Sequence, residues 1–327
     1  MMPFAYAAAP TAEAAIGRAA RVRGAEFIAG GTDLLQLLQE RVRGPAELID
    51  INGLPLAGIE VGPDGVRIGA LTRMAEVAAD GRIQEAFPVV AQALLLSASA
   101  QVRNMASIGG NLLQRTRCLY FRDVATPCNK RKPGSGCPAQ DGENRMNAIL
   151  GTSRHCIAAY PGDLAVALVA LDAEVEVSGA RGDRRIPVED LHRLPGETPE
   201  VETVLEPGDL ITAVLIPASD HARRSHYLKV RDRASLEFAV TSAAVALDAG
   251  RGMIRQARVA VGGVATKPWR LRQVEVALLG RRLDADVIKA AAELASDGAQ
   301  PRSRNAFKVQ LLRRTVMRAL CTVGGLM

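Results

Sequence analysis

The chain has 327 residues, 48% of them hydrophobic, 23% charged and 3% aromatic. That length fits two domains of ~100–200 residues each, with cores built from Ala, Val, Leu and Ile. No run approaches the ~20 apolar residues of a membrane span. The first ten residues lack the charged and apolar regions of a signal peptide, so export would require riding on a partner.

Net charge is +6 and the pI is about 9.3. A basic balance suggests nucleic acid or acidic surfaces as partners. Here the basicity is local. Residues 112–145 hold Arg115, Arg117, Arg122, Lys130, Arg131, Lys132 and Arg145 against Asp123, Asp141 and Glu143, so this segment carries +4 of the +6.

In chain order, 26–29 reads as a strand entering Gly30-Gly31-Thr32-Asp33, followed by an apolar-periodic helix through Leu34, Leu35, Leu37 and Leu38. Strands are expected at 47–51 and 66–70, with Thr72 able to cap the next helix, and a helix at 85–99. Residues 112–154 are rich in Pro, Gly, Arg, Asn and Cys and show no periodicity. A structureless loop of ~40 residues inside a compact domain implies that something else orders it. Regular structure resumes at 156–159, then a helix at 163–171 and a strand at 174–177. Residues 194–207 read as surface loop, and 217–224 as the domain boundary. Strand-like runs at 225–230, 238–248 and 254–261 precede helices at 268–279, 284–295 and 306–320, an α+β signature.

Four of the five cysteines, Cys118, Cys128, Cys137 and Cys156, fall in or beside the aperiodic segment; Cys321 reads as a buried helix residue. Two disulfides suit a small secreted domain better than a chain of this size. Structural zinc favours paired cysteines two to four residues apart, and the spacing here is C-x9-C-x8-C-x18-C. A [4Fe–4S] cube needs four thiolates and tolerates wide spacing. Arg117, Arg122, Lys130, Arg131 and Lys132 are expected to offset its negative charge. Gly134-Ser135-Gly136 is expected to bring backbone N–H groups to the sulfurs. His155, His192, His221 and His226 read as solvated or loop residues.

Gly30-Gly31-Thr32-Asp33 and Ser107-Ile108-Gly109-Gly110-Asn111 are Gly-Gly turns opening helices, suited to phosphate. Neither is G-x-G-x-x-G or a Walker A sequence. A pair of such turns suits a pyrophosphate and hence a dinucleotide.

Phe27-Ile28-Ala29-Gly30-Gly31-Thr32-Asp33, Ile68-Gly69-Ala70-Leu71-Thr72, the 107–111 turn, Tyr160-Pro161-Gly162-Asp163-Leu164 and Val261-Gly262-Gly263-Val264-Ala265-Thr266-Lys267-Pro268 occur in that order. This order resembles the FAD subunits of the xanthine oxidase and carbon monoxide dehydrogenase family over essentially the whole chain. The 111–118 and 127–137 stretches resemble the flavin subunits of the periplasmic aldehyde oxidases, which carry an extra [4Fe–4S] cluster; a related cluster occurs in the 4-hydroxybenzoyl-CoA reductases. The resemblance implies an FAD-binding domain of the vanillyl-alcohol-oxidase/PCMH type over 1–220, with an iron–sulfur insert at about 112–156. A three-stranded sheet with helices would follow over 221–327.

By the same resemblance, Glu26, Phe27, Ile28, Ala29, Gly30, Gly31, Thr32 and Asp33 hold FAD, supported by Ser107, Gly110 and Asn111. Asp163 lies on the nucleotide side, and Ile211 and Lys229 lie near the flavin. Cys118, Cys128, Cys137 and Cys156 ligate the cluster. Ser107 stands where Thr is common, and Tyr160 where Asn or His is common. The implied partners are a large molybdenum-cofactor subunit, a small [2Fe–2S] subunit and an external electron acceptor. A zinc-structured nucleic-acid module competes on charge but lacks an aromatic stacking platform. A stand-alone flavin oxidase lacks a candidate base.

Overall fold

The computed structural model describes residues 2–326. Among them the strands form three sheets. The first is parallel: β1 (Ala5–Ala8), β2 (Ala25–Ile28) and β3 (Glu47–Asp50), with β3 central. Its connections are right for parallel pairing, because the helix Ala12–Arg21 links β1 to β2. Thr11 caps that helix through the Ala14 N–H.

The second sheet is antiparallel, in the order β4 (Ile59–Gly62), β5 (Gly65–Gly69), β8 (Leu210–Pro217), β6 (Glu174–Gly179) and β7 (Gly182–Pro187). Val175 and Val177 point inward at period two. The helix Leu164–Ala170 is buried at every residue, so it is hydrophobic all round and runs through the core.

The third sheet is β9 (Ser225–Val230), β10 (Thr241–Gly250), β11 (Met253–Gly262) and β12 (Trp269–Arg270), all antiparallel. The three expected strands are present, and two-residue β12 joins them. Residues 269–270 had read as helix; they instead pair with Val261 and Ala260, and the helix begins at Arg272. Strand β10 is buried on both faces. Ala244 and Ala246 pack into the core of the second sheet, and Ala243, Val245 and Leu247 into that of the C-terminal helices. Small alanines on one face let the helix Leu164–Ala170 approach closely.

Three local expectations change. The residue at the cap position of the helix Met74–Ala79 is Arg73; the Thr72 hydroxyl instead meets the Gly58 N–H and carbonyl. Residues 85–99 divide, with Phe87 between the helices Gly81–Ala86 and Pro88–Leu95 and Pro88 opening the second. Residues 156–159 form no strand, although the Ile157 carbonyl accepts the Ala148 N–H. No described helix is long and apolar enough to cross a membrane.

On the C-terminal helix Phe307–Gly324, Lys308 is wholly buried, and its Nζ donates to the carbonyls of Asn147 (3.0 Å) and Gly263 (2.7 Å). Burial pushes its amine from 10.5 down to about 7. The two N–H bonds of a neutral amine match the two carbonyls. With the folded value below the unfolded one, the unfolded chain binds more protons above pH 7, and stability rises with pH. Chemical denaturation from pH 7 to 8, where free thiols are still mostly protonated, is expected to gain about 1 kcal/mol. Lys308→Met should remove that slope; an unchanged slope would assign it to other groups.

Candidate flavin site and cysteine cavity

A cleft of about 690 Å³ runs between the first sheet, the Ser107 turn and the edge of the third sheet. Ligand pockets span ~300–1,000 Å³. All of Glu26, Phe27, Ile28, Ala29, Gly30, Gly31, Thr32, Asp33, Ser107, Gly110, Asn111, Asp163, Ile211 and Lys229 line it. The first Gly-Gly turn abuts Met105 and Ala106, the residues just before the second, and the second abuts Ala70. A Cβ on Gly30 would lie 2.0 Å from the Met105 carbonyl oxygen, and Gly31 takes φ +68°. A Cβ on Gly109 would sit 2.9 Å from that of Ala70. A side chain at Gly30 would push the first turn off residues 105–106, and one at Gly109 would push the second off Ala70. Ser107 caps the helix Ile108–Leu112 through the Gly110 N–H. The buried Asn111 Oδ1 has no partner among the described residues and can accept from a ligand in the cleft.

At the far side, the Asp163 carboxylate receives three donors: Lys229 Nζ at 2.7 Å, Tyr227 OH at 2.7 Å and Ser97 Oγ at 2.9 Å. Lys229 also donates to the Leu96 carbonyl. Its side chain is 1% exposed, so it is no ordinary exposed strand lysine. Strand β9 aims it inward, and helix and sheet cover it. Tyr160 is buried beyond the cleft; its hydroxyl donates to the Leu112 carbonyl, and its ring meets His192 edge-on.

Asp33, on the cleft wall, also ties the first turn to the aperiodic segment. It takes the Arg115 N–H (2.7 Å), Arg117 Nη1 (2.7 Å) and Arg122 Nη2 (2.9 Å). This corrects the expectation for the basic residues. Arg115 and Lys130 pair with Glu202, Arg145 pairs with Asp232, and Arg131 donates to the carbonyls of Tyr120, Phe121 and Thr126. Arginines hold this segment together, since a loop without a ladder must satisfy its carbonyls some other way. Of the five cations named beforehand, Lys130 alone lines the cysteine cavity.

The glycines near Cys137 also act differently. The Gly136 N–H donates to Asn129 Oδ1 and the Cys128 N–H to Ser135 Oγ, pinching 128–136 into a closed turn.

The four cysteines share one small cavity with Tyr120, Phe121, Lys130 and His155. Burial pushes the thiols of Cys118 and Cys137 up, and that of Cys156 up to about 12. Among the described residues, no three Cys, His, Asp or Glu side chains converge as ligands of a single ion. His155 lines the cavity, and its Nε2 accepts from Arg154.

A third cavity, about 240 Å³, lies between the other two. It shares Arg115 and Gln114 with the cleft, and Lys130 and Cys156 with the cysteine cavity. Sequence reasoning missed His192 there. It is buried, its Nε2 lies 2.9 Å from the Leu112 carbonyl, and burial lowers its pKa to about 4. Its neighbours in sequence carry no signal of burial.

The cleft has the size and lining that a dinucleotide requires. Residues 2–219 match the FAD binding domain in molybdopterin dehydrogenase, and 226–323 match the CO dehydrogenase flavoprotein C-terminal domain. The chain belongs to this family and binds FAD. It is 46% identical over 325 residues to the aldehyde oxidoreductase FAD-binding subunit PaoB of Escherichia coli (strain K12), covering 98% of each chain. It is 28% identical to the glyceraldehyde dehydrogenase medium chain of Sulfolobus acidocaldarius, over 84% of this chain and 81% of that one. The fold matches a reconstituted CO dehydrogenase from Oligotropha carboxidovorans with a TM-score of 0.78 over all of both chains, at 22% identity.

Proposed function

We propose that this chain is the flavin subunit of a molybdenum-dependent aldehyde oxidoreductase, and that its four clustered cysteines hold a [4Fe–4S] centre. The carrying observation is the row of three cavities, with every expected flavin residue on one end and every expected thiol on the other. The 46% identical aldehyde oxidoreductase subunit supports the choice of substrate class. FAD supplies the exchange between single-electron and two-electron chemistry. The protein's part is placement. The 28–33 turn offers backbone N–H groups to a pyrophosphate, the 107–111 turn, whose own N–H groups are bonded within the protein, brings the Asn111 side chain to the same cleft, and Asp163, Lys229 and Ile211 line the opposite wall. The cube spreads four thiolates over four irons, so it does not require the close convergence of a zinc site, and a ligating thiol is deprotonated outright. In this reading a large molybdenum subunit oxidises the aldehyde, a small [2Fe–2S] subunit relays electrons here, and an external acceptor removes them. Export to the periplasm would be with a partner.

The test is the visible spectrum and iron content of the gently purified complex. Flavin absorbance with four irons per chain beyond those of the small subunit is expected. Zinc in place of iron would end the cluster reading. Cys128→Ser should lower iron while flavin stays; unchanged iron would remove Cys128 from the ligand set.

A further inference from the structure

Asn147 stands beside Cys118, one of the four cysteines of the cavity, with its side chain committed. It is buried, and its Nδ2 lies 3.6 Å from Cys118 Sγ, within the reach of a sulfur hydrogen bond. Its backbone is fixed on both sides. The N–H donates to the Asn144 carbonyl at 2.9 Å. The carbonyl accepts from Lys308 Nζ at 3.0 Å and Asn305 Nδ2 at 3.3 Å. Lys308 and Asn305 are wholly buried and belong to the C-terminal helix and the turn before it. The C-terminal domain therefore sets where the Asn147 amide points. A neutral thiol is a weak acceptor, and a buried amide N–H facing one is poorly satisfied. A thiolate is a strong acceptor, and hydrogen bonds from charged partners are about twice as strong as neutral ones.

We infer that Asn147 tunes the reduction potential of the iron–sulfur centre through its N–H···S bond to Cys118, with Asn305 and Lys308 as positioning residues. This rests on the reading of the four cysteines as cluster ligands. On reduction the cluster gains one electron and one negative charge, spread in part over its sulfurs. A donor aimed at a ligating sulfur stabilises that state more than the oxidised one, and so raises the potential. Asn147 thereby keeps the centre easier to reduce than four buried thiolates alone would make it.

The experiment is a dithionite titration of the assembled complex, following the reduced cluster by electron paramagnetic resonance, with Asn147→Leu and Asn147→Asp beside the wild type. Leucine keeps the volume without the donor, and aspartate keeps the shape but adds a charge. With iron retained, Asn147→Leu is expected to shift the reduction equilibrium about tenfold against the reduced state, ~59 mV lower for a one-electron couple. Asn147→Asp should lie lower still, and an exchangeable proton coupled to the wild-type cluster should vanish in both. Full iron with an unmoved potential in Asn147→Leu overturns the inference and leaves the cluster reading standing. Loss of iron from both variants assigns Asn147 to loop folding and also overturns it. Wild-type complex without this centre ends both readings.

Discussion

Gly30→Ala is expected to yield a folded chain that has lost most of its flavin. A methyl at Gly30 would lie 2.0 Å from the Met105 carbonyl oxygen and 2.7 Å from its carbon, both backbone atoms that no side-chain rotation can move. The 28–31 turn must then separate from the 105–106 segment, which reshapes the cleft wall that residues 26–33 form. Displacing backbone donors by about an ångström forfeits much of what they contribute to binding. A loss of ~2–3 kcal/mol, or on the order of 30–150-fold in FAD affinity, is expected. The parallel sheet stays intact, because Gly30 follows the last residue of β2. The check is the flavin-to-protein absorbance ratio with the circular dichroism spectrum alongside. Full flavin occupancy would show that the close approach of Gly30 to Met105 is not needed for binding. Gly31→Ala should act more mildly. Its Cβ would meet only the flexible end of Leu35, at 3.0 Å, and the cost comes from holding alanine at φ +68°.

The cleft was legible in the sequence because glycine pairs next to Ser, Thr, Asp and Asn mark where backbone must come close. Such marks survive without any knowledge of tertiary contacts. The cysteines were legible for a similar reason, as rare residues concentrated in a stretch with no other purpose. The strand Leu210–Pro217 was not read as one. Buried on both sides in the middle of its sheet, it has no alternation, and a short apolar run carries little periodic information. The arginines of 112–145 show a deeper limit. Their density was read as compensation for a charged cluster, yet Asp33, Glu202 and Asp232, which neutralise them, lie far away in the chain. Composition gives the charge of a segment but not its partners. His192 and Lys308 were illegible for the same reason, since nothing local marks a polar side chain that the fold will enclose.

Lys229 presents that limit in its most consequential form, and its removal is the second large effect expected. Lys229→Met deletes the cation facing Asp163 at 2.7 Å where the two side chains are 1% and 6% exposed. Breaking one side of a buried pair leaves an uncompensated charge and costs ~3–5 kcal/mol. Here Tyr227 OH and Ser97 Oγ still donate to the carboxylate, so the lower end of that range is expected. The Leu96 carbonyl loses a donor as well. Asp163→Asn alone should cost similarly, because Lys229 is then the stranded charge. In the double variant neither charge remains, and much of the loss should return. Thermal or chemical unfolding of the four proteins gives the coupling directly, and flavin content measured on the same samples tells whether the pair also shapes the cleft. Additive losses would mean that each residue is held by its other partners. A strong coupling with normal flavin in the double variant would make the pair a structural clamp between β9 and the helix Leu164–Ala170. A strong coupling with flavin lost in all three variants would mean that the pair is the cleft's far wall, built from a lysine of one domain and an aspartate of the other.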